Sequence, residues 1–302
     1  SLSQHRNMKA ACLHQFWKEK LIASPAPAGN YKKGGKYIGI INLKTFLLIS
    51  GILIVLFRMP LFAEEDNYLQ DYLLSYPETI YSAVTAPGNW QNDDWLKASA
   101  IIVTTGGLYL LDEELRDLYQ RNRIKVTDDI FTGAEQFGEV KIMLPLMAVT
   151  ALGGYIAKDE KTIDTSLLCL KSSLISLAVT QTLKLASQRQ RPFKEEGKKF
   201  WQDSGISFSK NSFPSGHSTL VWSLAPVLAE QFKKTKLVPP TVYTIAVLTS
   251  LSRLNSDQHW TSDVFAGAVI GYVTGKMVLQ DTPRVKLGIN PVTDRVSLTY
   301  CF

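Results

Sequence analysis

The chain has 302 residues, 45% of them hydrophobic, with 33 Lys/Arg against 27 Asp/Glu, a formal charge of +6 and a mean hydropathy near zero. That length suits one or two domains with a sizeable core, and three scattered cysteines (Cys12, Cys169, Cys301) exclude a disulfide framework and a cysteine-based metal site. The surplus charge sits in residues 1–44, with eight Lys/Arg and one acid, so the body carries no basic stripe of the kind that nucleic-acid binding needs.

Residues 1–63 read as a basic leader. Lys32, Lys33, Lys36 and Lys44 precede the apolar run 45–57, and Phe62-Ala63 leads into Glu64-Glu65-Asp66. Positive segment, short apolar core, small residue and polar start are the layout of a signal peptide, with Ala63 as the expected cleavage point. A single N-terminal membrane anchor is the rival reading. Either one predicts an exported protein, periplasmic or membrane-associated in a bacterium.

From residue 64 the periodicity is helical. Helices are predicted over 66–75, 77–86, 92–111, 113–122, 127–136, 139–157, 162–187, 217–233, 239–254 and 261–279, giving an all-α bundle over 64–281. The runs at 142–157 and 264–273 are apolar all round, which we read as burial in the centre of a compact bundle. The polar stretch 193–213 reads as a loop, and its Phe193, Phe200 and Trp201 beside lysines suit a lid for an amphiphile. The tail 282–302 alternates apolar and polar residues on both sides of Asn290-Pro291 and is expected to form a short C-terminal β-hairpin.

Three polar motifs carry chemistry. Lys184 and Arg191-Pro192 stand two helical turns apart and place two cations near a helix end, suited to an anion. In Pro214-Ser215-Gly216-His217 a Ser-Gly turn opens a helix, where free N–H groups and the positive end of the helix dipole favour phosphate. Ser215 or Ser212 could equally be an ordinary helix cap. In Ser252-Arg253-x5-His259-x3-Asp263 an imidazole and a carboxylate are four residues apart, so the carboxylate can fix one tautomer and free the other nitrogen.

Taken together, these eleven specified residues resemble the signature of the type 2 phosphatidic acid phosphatase superfamily, which vanadium haloperoxidases share. The resemblance implies that fold, and a phosphatase acting on a phosphomonoester or diphosphate, foremost a lipid phosphate, through a phosphohistidine. It implies His259 as the nucleophile, Asp263 as its partner and His217 as the acid. Lys184, Arg191, Ser215, Gly216 and Arg253 would hold the phosphoryl oxygens. Neither cofactor nor metal is expected, since no His/Cys/carboxylate cluster has ligand spacing. The expected partners are a phosphorylated lipid or small phosphate and a membrane, with no nucleic acid. The alternatives are a vanadium-dependent haloperoxidase and a non-catalytic scaffold associated with an outer membrane.

Overall fold

A computed structural model describes residues 68–199 and 211–281, with the backbone alone of 284–290 and 295–301. Contacts divide the chain into 1–40 and 41–302; the first unit, with the rest of the expected leader and residues 200–210 of the expected lid, lies outside the described residues. Among the described residues there are nine α-helices: α1 Tyr68–Thr85, α2 Asn92–Leu110, α3 Asp112–Arg121, α4 Lys125–Glu135, α5 Val140–Ala157, α6 Glu160–Ser187, α7 Gly216–Gln231, α8 Val238–Asn255 and α9 Thr261–Asp281.

The fold is helical, as the periodicity predicts, with one difference in the element count. The two helices expected around Pro77 are the single helix α1. Proline costs a helix one backbone bond. Next to it, the Ser75 hydroxyl bonds the Tyr72 carbonyl at 2.6 Å and the Thr79 hydroxyl bonds the Ser75 carbonyl at 3.0 Å.

Helix α7 is the centre of the body, flanked by α6, α8 and α9. Leu220, Leu224 and Val227 pack there with Leu168, Cys169, Ile175 and Val278, while Val221 and Ala225 meet Ala246 of α8. The helices approach closely because small residues line their seams. A Cβ on Gly267 would stand 2.5 Å from the Ser215 carbonyl oxygen, one on Gly271 2.2 Å from that of Thr219, and one on Gly275 2.5 Å from Pro226 Cγ. These glycines recur every fourth residue along α9, so they form one face, and that face is the one seated on α7. Hydroxyls close the α6/α7 seam: Ser172 donates to the Ser223 carbonyl at 2.9 Å, and Thr180 to Thr219 Oγ1 at 3.0 Å. The Ser172, Thr180 and Thr219 hydroxyls of this seam thereby keep a partner.

The apolar character of α5 has a different cause from the one expected. Only 17% of its apolar window is buried, and Ile142, Leu146, Val149 and Ile156 are exposed. Burial in a compact bundle therefore does not account for it. Three helices are long and apolar enough to cross a membrane: Val140–Ala157, Glu160–Ser187 and Thr261–Gln280. On α2, Leu96, Ile102, Val103 and Leu110 are also exposed. An apolar surface of this extent is foreign to a water-facing monomer and native to a lipid-facing one.

Candidate active site

The eight residues singled out in the sequence come from the ends of four helices and the segments joining them. Lys184 is in the last turn of α6, and Arg191 follows that helix. Ser215 and Gly216 open α7, with His217 in its first turn. Arg253 closes α8, and His259 and Asp263 flank the start of α9. The packing of α7 against its three neighbours brings these ends to one place. The cations of Lys184, Arg191 and Arg253 and the ring of His217 all act electrostatically on His259.

His259 is buried, and its backbone N–H donates to the Arg253 carbonyl at 3.3 Å. Its Nδ1 lies 3.8 Å from Asp263 Oδ2 and 3.4 Å from Ser212 Oγ. The Ser212 hydroxyl in turn donates to Asp263 Oδ2. The His–Asp pair four residues apart is therefore joined by a serine. A proton placed on Nδ1 faces Ser212 and Asp263 and leaves Nε2 as the unprotonated nitrogen. Burial holds the ring well below the usual histidine range, and the three cations and His217 push in the same direction.

Asp263 is fully buried and heavily engaged. Its Oδ2 also accepts the Trp260 backbone N–H at 2.9 Å, and its Oδ1 accepts Arg189 Nη1 at 2.6 Å. Arg189 was not singled out in the sequence, although it lies between Lys184 and Arg191. Its guanidinium spans two carboxylates, with Nη2 at 2.7 Å from Asp112 Oδ2, and Nη1 also donates to Ser262 Oγ at 2.8 Å. It stacks between the rings of Tyr109 and Trp260, at 4.8 and 5.3 Å. Asp112 accepts the Ser262 backbone N–H and hydroxyl as well, at 2.9 and 2.6 Å. Burial raises the Asp112 carboxyl above its usual range, against those hydrogen bonds. The planar fork of arginine, but not a lysine ammonium, fits this two-sided bridge.

The proposed cradle shows what each group has to offer. The Lys184 ammonium donates to the Asn211 and Ser212 carbonyls at 2.7 and 3.3 Å, so it also ties down the segment carrying Ser212. Arg191 donates to Gln258 Oε1, and burial pushes its guanidinium down to about 10, helped by Arg253. Arg253 Nη1 meets Glu135 Oε2 at 2.7 Å. The Ser215 hydroxyl caps α7 by accepting the Ser218 N–H at 3.5 Å, and the Ser215 N–H donates to the Asp263 carbonyl at 3.0 Å. The cap reading of Ser215 is observed, and that cap uses an oxygen lone pair rather than the O–H. A Cβ on Gly216 would meet nothing within 4 Å, so protein contacts do not demand glycine there. His217 Nε2 lies 3.4 Å from Glu139 Oε2.

Among the described residues no group of three or more His, Cys, Asp or Glu could hold a metal ion. A separate cavity of about 470 Å³ lies between α2 and α9, lined by Ile101, Tyr109, Phe213, Ile270, Arg189 and Ser262 among others. It touches the far partners of Asp263, and none of the three cradle cations or two histidines is part of its wall.

Residues 166–286 match the model of the PAP2 superfamily. The chain is 23% identical over 254 residues to a lipid A 1-phosphatase of Porphyromonas gingivalis, an alignment covering 78% of this chain and 50% of that protein. The chain thus spans about half the length of the curated relative it matches. Two solved structures are similar. A transmembrane PAP2-type phosphatidylglycerolphosphate phosphatase from Bacillus subtilis has TM-score 0.48 and 24% identity, covering 60% of this chain and 94% of that one. LpxE of Aquifex aeolicus has TM-score 0.43 and 24% identity, covering 56% and 95%.

Proposed function

For a chain that belongs to the type 2 phosphatidic acid phosphatase superfamily, we propose hydrolysis of a lipid phosphate, without a metal, through a phosphohistidine at His259. The observation that carries the reading is the buried imidazole within electrostatic reach of three cations and contacted at Nδ1 by Ser212 and Asp263. A neutral imidazole with Nδ1–H held is a nucleophile at Nε2. The Nε2 lone pair attacks phosphorus, and the ester P–O bond breaks with its electrons on the leaving oxygen. His217 gives that oxygen its proton. Asp263 balances the charge that appears on the ring. Lys184, Arg191, Arg253, the Ser215 hydroxyl and the N–H groups at the start of α7 take the charge on the phosphoryl oxygens. Water then attacks the phosphorus of the phosphohistidine, the P–N bond breaks, and phosphate leaves.

The lipid class is supported by two things. The relative bears the name lipid A 1-phosphatase, and the apolar faces of α2 and α5 suit a body set in a bilayer with α5, α6 and α9 crossing it. Residues 1–63 belong to the same proposal as a leader or anchor for export, ahead of the helical domain 64–281. So does a C-terminal hairpin, for which antiparallel pairing from Arg284↔Cys301 to Asn290↔Arg295 speaks.

The test is phosphate release from a panel of lipid and soluble phosphates by the full chain in detergent micelles. Lipid phosphates are expected to be preferred. His259→Ala is expected to abolish turnover and, with it, the acid-labile phosphoenzyme trapped by rapid quench from labelled substrate. Full activity in that variant would remove the mechanism.

A further inference from the structure

The sequence motifs leave unexplained the corner between α4 and α5, a short 3-10 turn at Gln136–Gly138 followed by Glu139. Three observations show that this corner is shaped around His217. A Cβ on Gly138 would fall 2.7 Å from His217 Cβ and 2.9 Å from its Cδ2, so only glycine lets the turn sit against the ring. Glu139 occupies the N-cap position of α5, where Ser, Thr, Asp and Asn are the usual residues, and its side chain makes no capping bond. Its carboxylate instead lies 3.4 Å from His217 Nε2.

We propose that Glu139 is a positioning residue for the leaving-group acid, engaging His217 through Nε2–H and favouring its charged form, so that Nδ1–H is the proton available to the leaving oxygen. The proposal rests on the role of His217 as that acid. The groups facing His217 are Glu139 from the start of α5, Glu135 from the end of α4, Arg253 from α8 and His259 ahead of α9. Burial, the largest influence, holds the His217 ring below the usual histidine range; Glu139 is the main opposing group, Arg253 adds to the lowering, and Glu135 opposes it more weakly. Glu135 is already bonded to Arg253 at 2.7 Å. Glu139 is therefore the carboxylate committed to His217, and its own carboxyl is held below the usual range first of all by that contact. The resulting arrangement is a relay: the Glu139 carboxylate at Nε2–H offsets part of the cost of burying the imidazolium, and the Nδ1 proton moves to the ester oxygen as the P–O bond breaks, leaving the ring neutral.

A role exercised through the acid depends on the leaving group, and a role in folding does not. The experiment compares Glu139→Gln, Glu139→Asp and His217→Asn on two substrates, phosphatidic acid and p-nitrophenyl phosphate, in the full chain in detergent. An alkoxide cannot leave without a proton, while nitrophenolate can. Glu139→Gln is expected to lower kcat on phosphatidic acid by about tenfold or more and on p-nitrophenyl phosphate by less than about threefold. It is also expected to move the alkaline limb of the pH profile on phosphatidic acid to lower pH, since the acid loses its proton sooner. Glu139→Asp is expected to recover part of both effects, and His217→Asn to show the same substrate split with a larger loss. If His217→Asn slows both substrates equally, the reading of His217 as the acid is at fault. If His217→Asn shows the split and Glu139→Gln slows both substrates equally, or neither, the assignment of Glu139 is overturned.

Discussion

Gly267→Ala tests whether the seam between α7 and α9 sets the site. The new Cβ would stand 2.5 Å from the Ser215 carbonyl oxygen, where ordinary contact begins near 3.4 Å, so the two helices must part locally by about 0.9 Å. Ser215 caps the helix that carries His217 and the cradle N–H groups, and it is bonded through its own N–H to the Asp263 carbonyl. The displacement therefore separates the proposed cradle from the proposed nucleophile, His259, rather than shifting both together. A misplacement of roughly 1 Å costs about 10²-fold in rate, or about 2.7 kcal/mol of barrier. Gly275→Ala supplies the comparison. It makes the same kind of clash, 2.5 Å to Pro226 Cγ and 2.7 Å to the Ser223 carbonyl, but at a point roughly 16 Å further along α7. Both variants are expected to lose about 1–3 kcal/mol of stability from overpacking, and only Gly267→Ala the 100-fold in kcat. The assays are phosphate release at saturating substrate and thermal unfolding in the same detergent. Equal kcat losses in the two variants, or a kcat for Gly267→Ala within about threefold of wild type, would refute the reasoning.

Arg189→Gln leaves the buried carboxylates of Asp112 and Asp263 without the cation between them, and a loss of about 3–5 kcal/mol is expected from denaturant unfolding; Arg189→Lys should not restore it, because one ammonium cannot bridge both sides. His259 should stay neutral to well below pH 6.5 in the absence of substrate, as read by NMR titration of its ring nitrogens, and an ordinary midpoint near 6.5 would count against the buried cationic setting. The same depressed value has a consequence for folding. The unfolded ring takes up a proton below about pH 6.5 while the folded ring does not, so stability is full above that pH and falls as acidity increases, and His259→Asn should flatten this part of the curve. In fractionation, the chain should remain with membranes after a high-salt or alkaline wash and leave only with detergent; release by salt alone would argue against crossing helices.

The helical body was legible in the sequence because each span shows a clear period and loops with Pro, Gly or polar residues between them. Pro77 misled, since a proline disfavours a helix interior without forbidding it, and here the helix runs through it. Composition could not say whether an apolar helix faces protein or lipid, and the exposure of Ile142, Val149 and Ile156 shows that this side of α5 does not face protein within the described residues. The motif residues were legible through their fixed spacing. Their counter-charges were not. Asp112, Glu135 and Glu139 reach the site from helices far away in sequence, with no constant offset from the motifs. Arg189 stands inside a motif, in a stretch that spacing treats as filler. Ser212 lies in a polar loop where one serine looks like another. A pair of arginines two residues apart before a proline was the one visible hint, since adjacent cations seldom share a single anion.

The bridge from Arg189 to Asp112 also bears on where a working protein can begin. The segment that matches the superfamily, 166–286, contains every motif residue. A fragment cut to those limits would look complete by any inventory of signatures. It would nonetheless lack Asp112, Glu135 and Glu139, the three acids that answer Arg189, Arg253 and His217. The mutual repulsion of the cations it keeps would then be answered by Asp263 without these three acids wherever no phosphate is bound. The smallest active piece must therefore reach back past residue 112, and an expression boundary drawn from the motifs alone would yield a protein with all its tools and an unassembled bench.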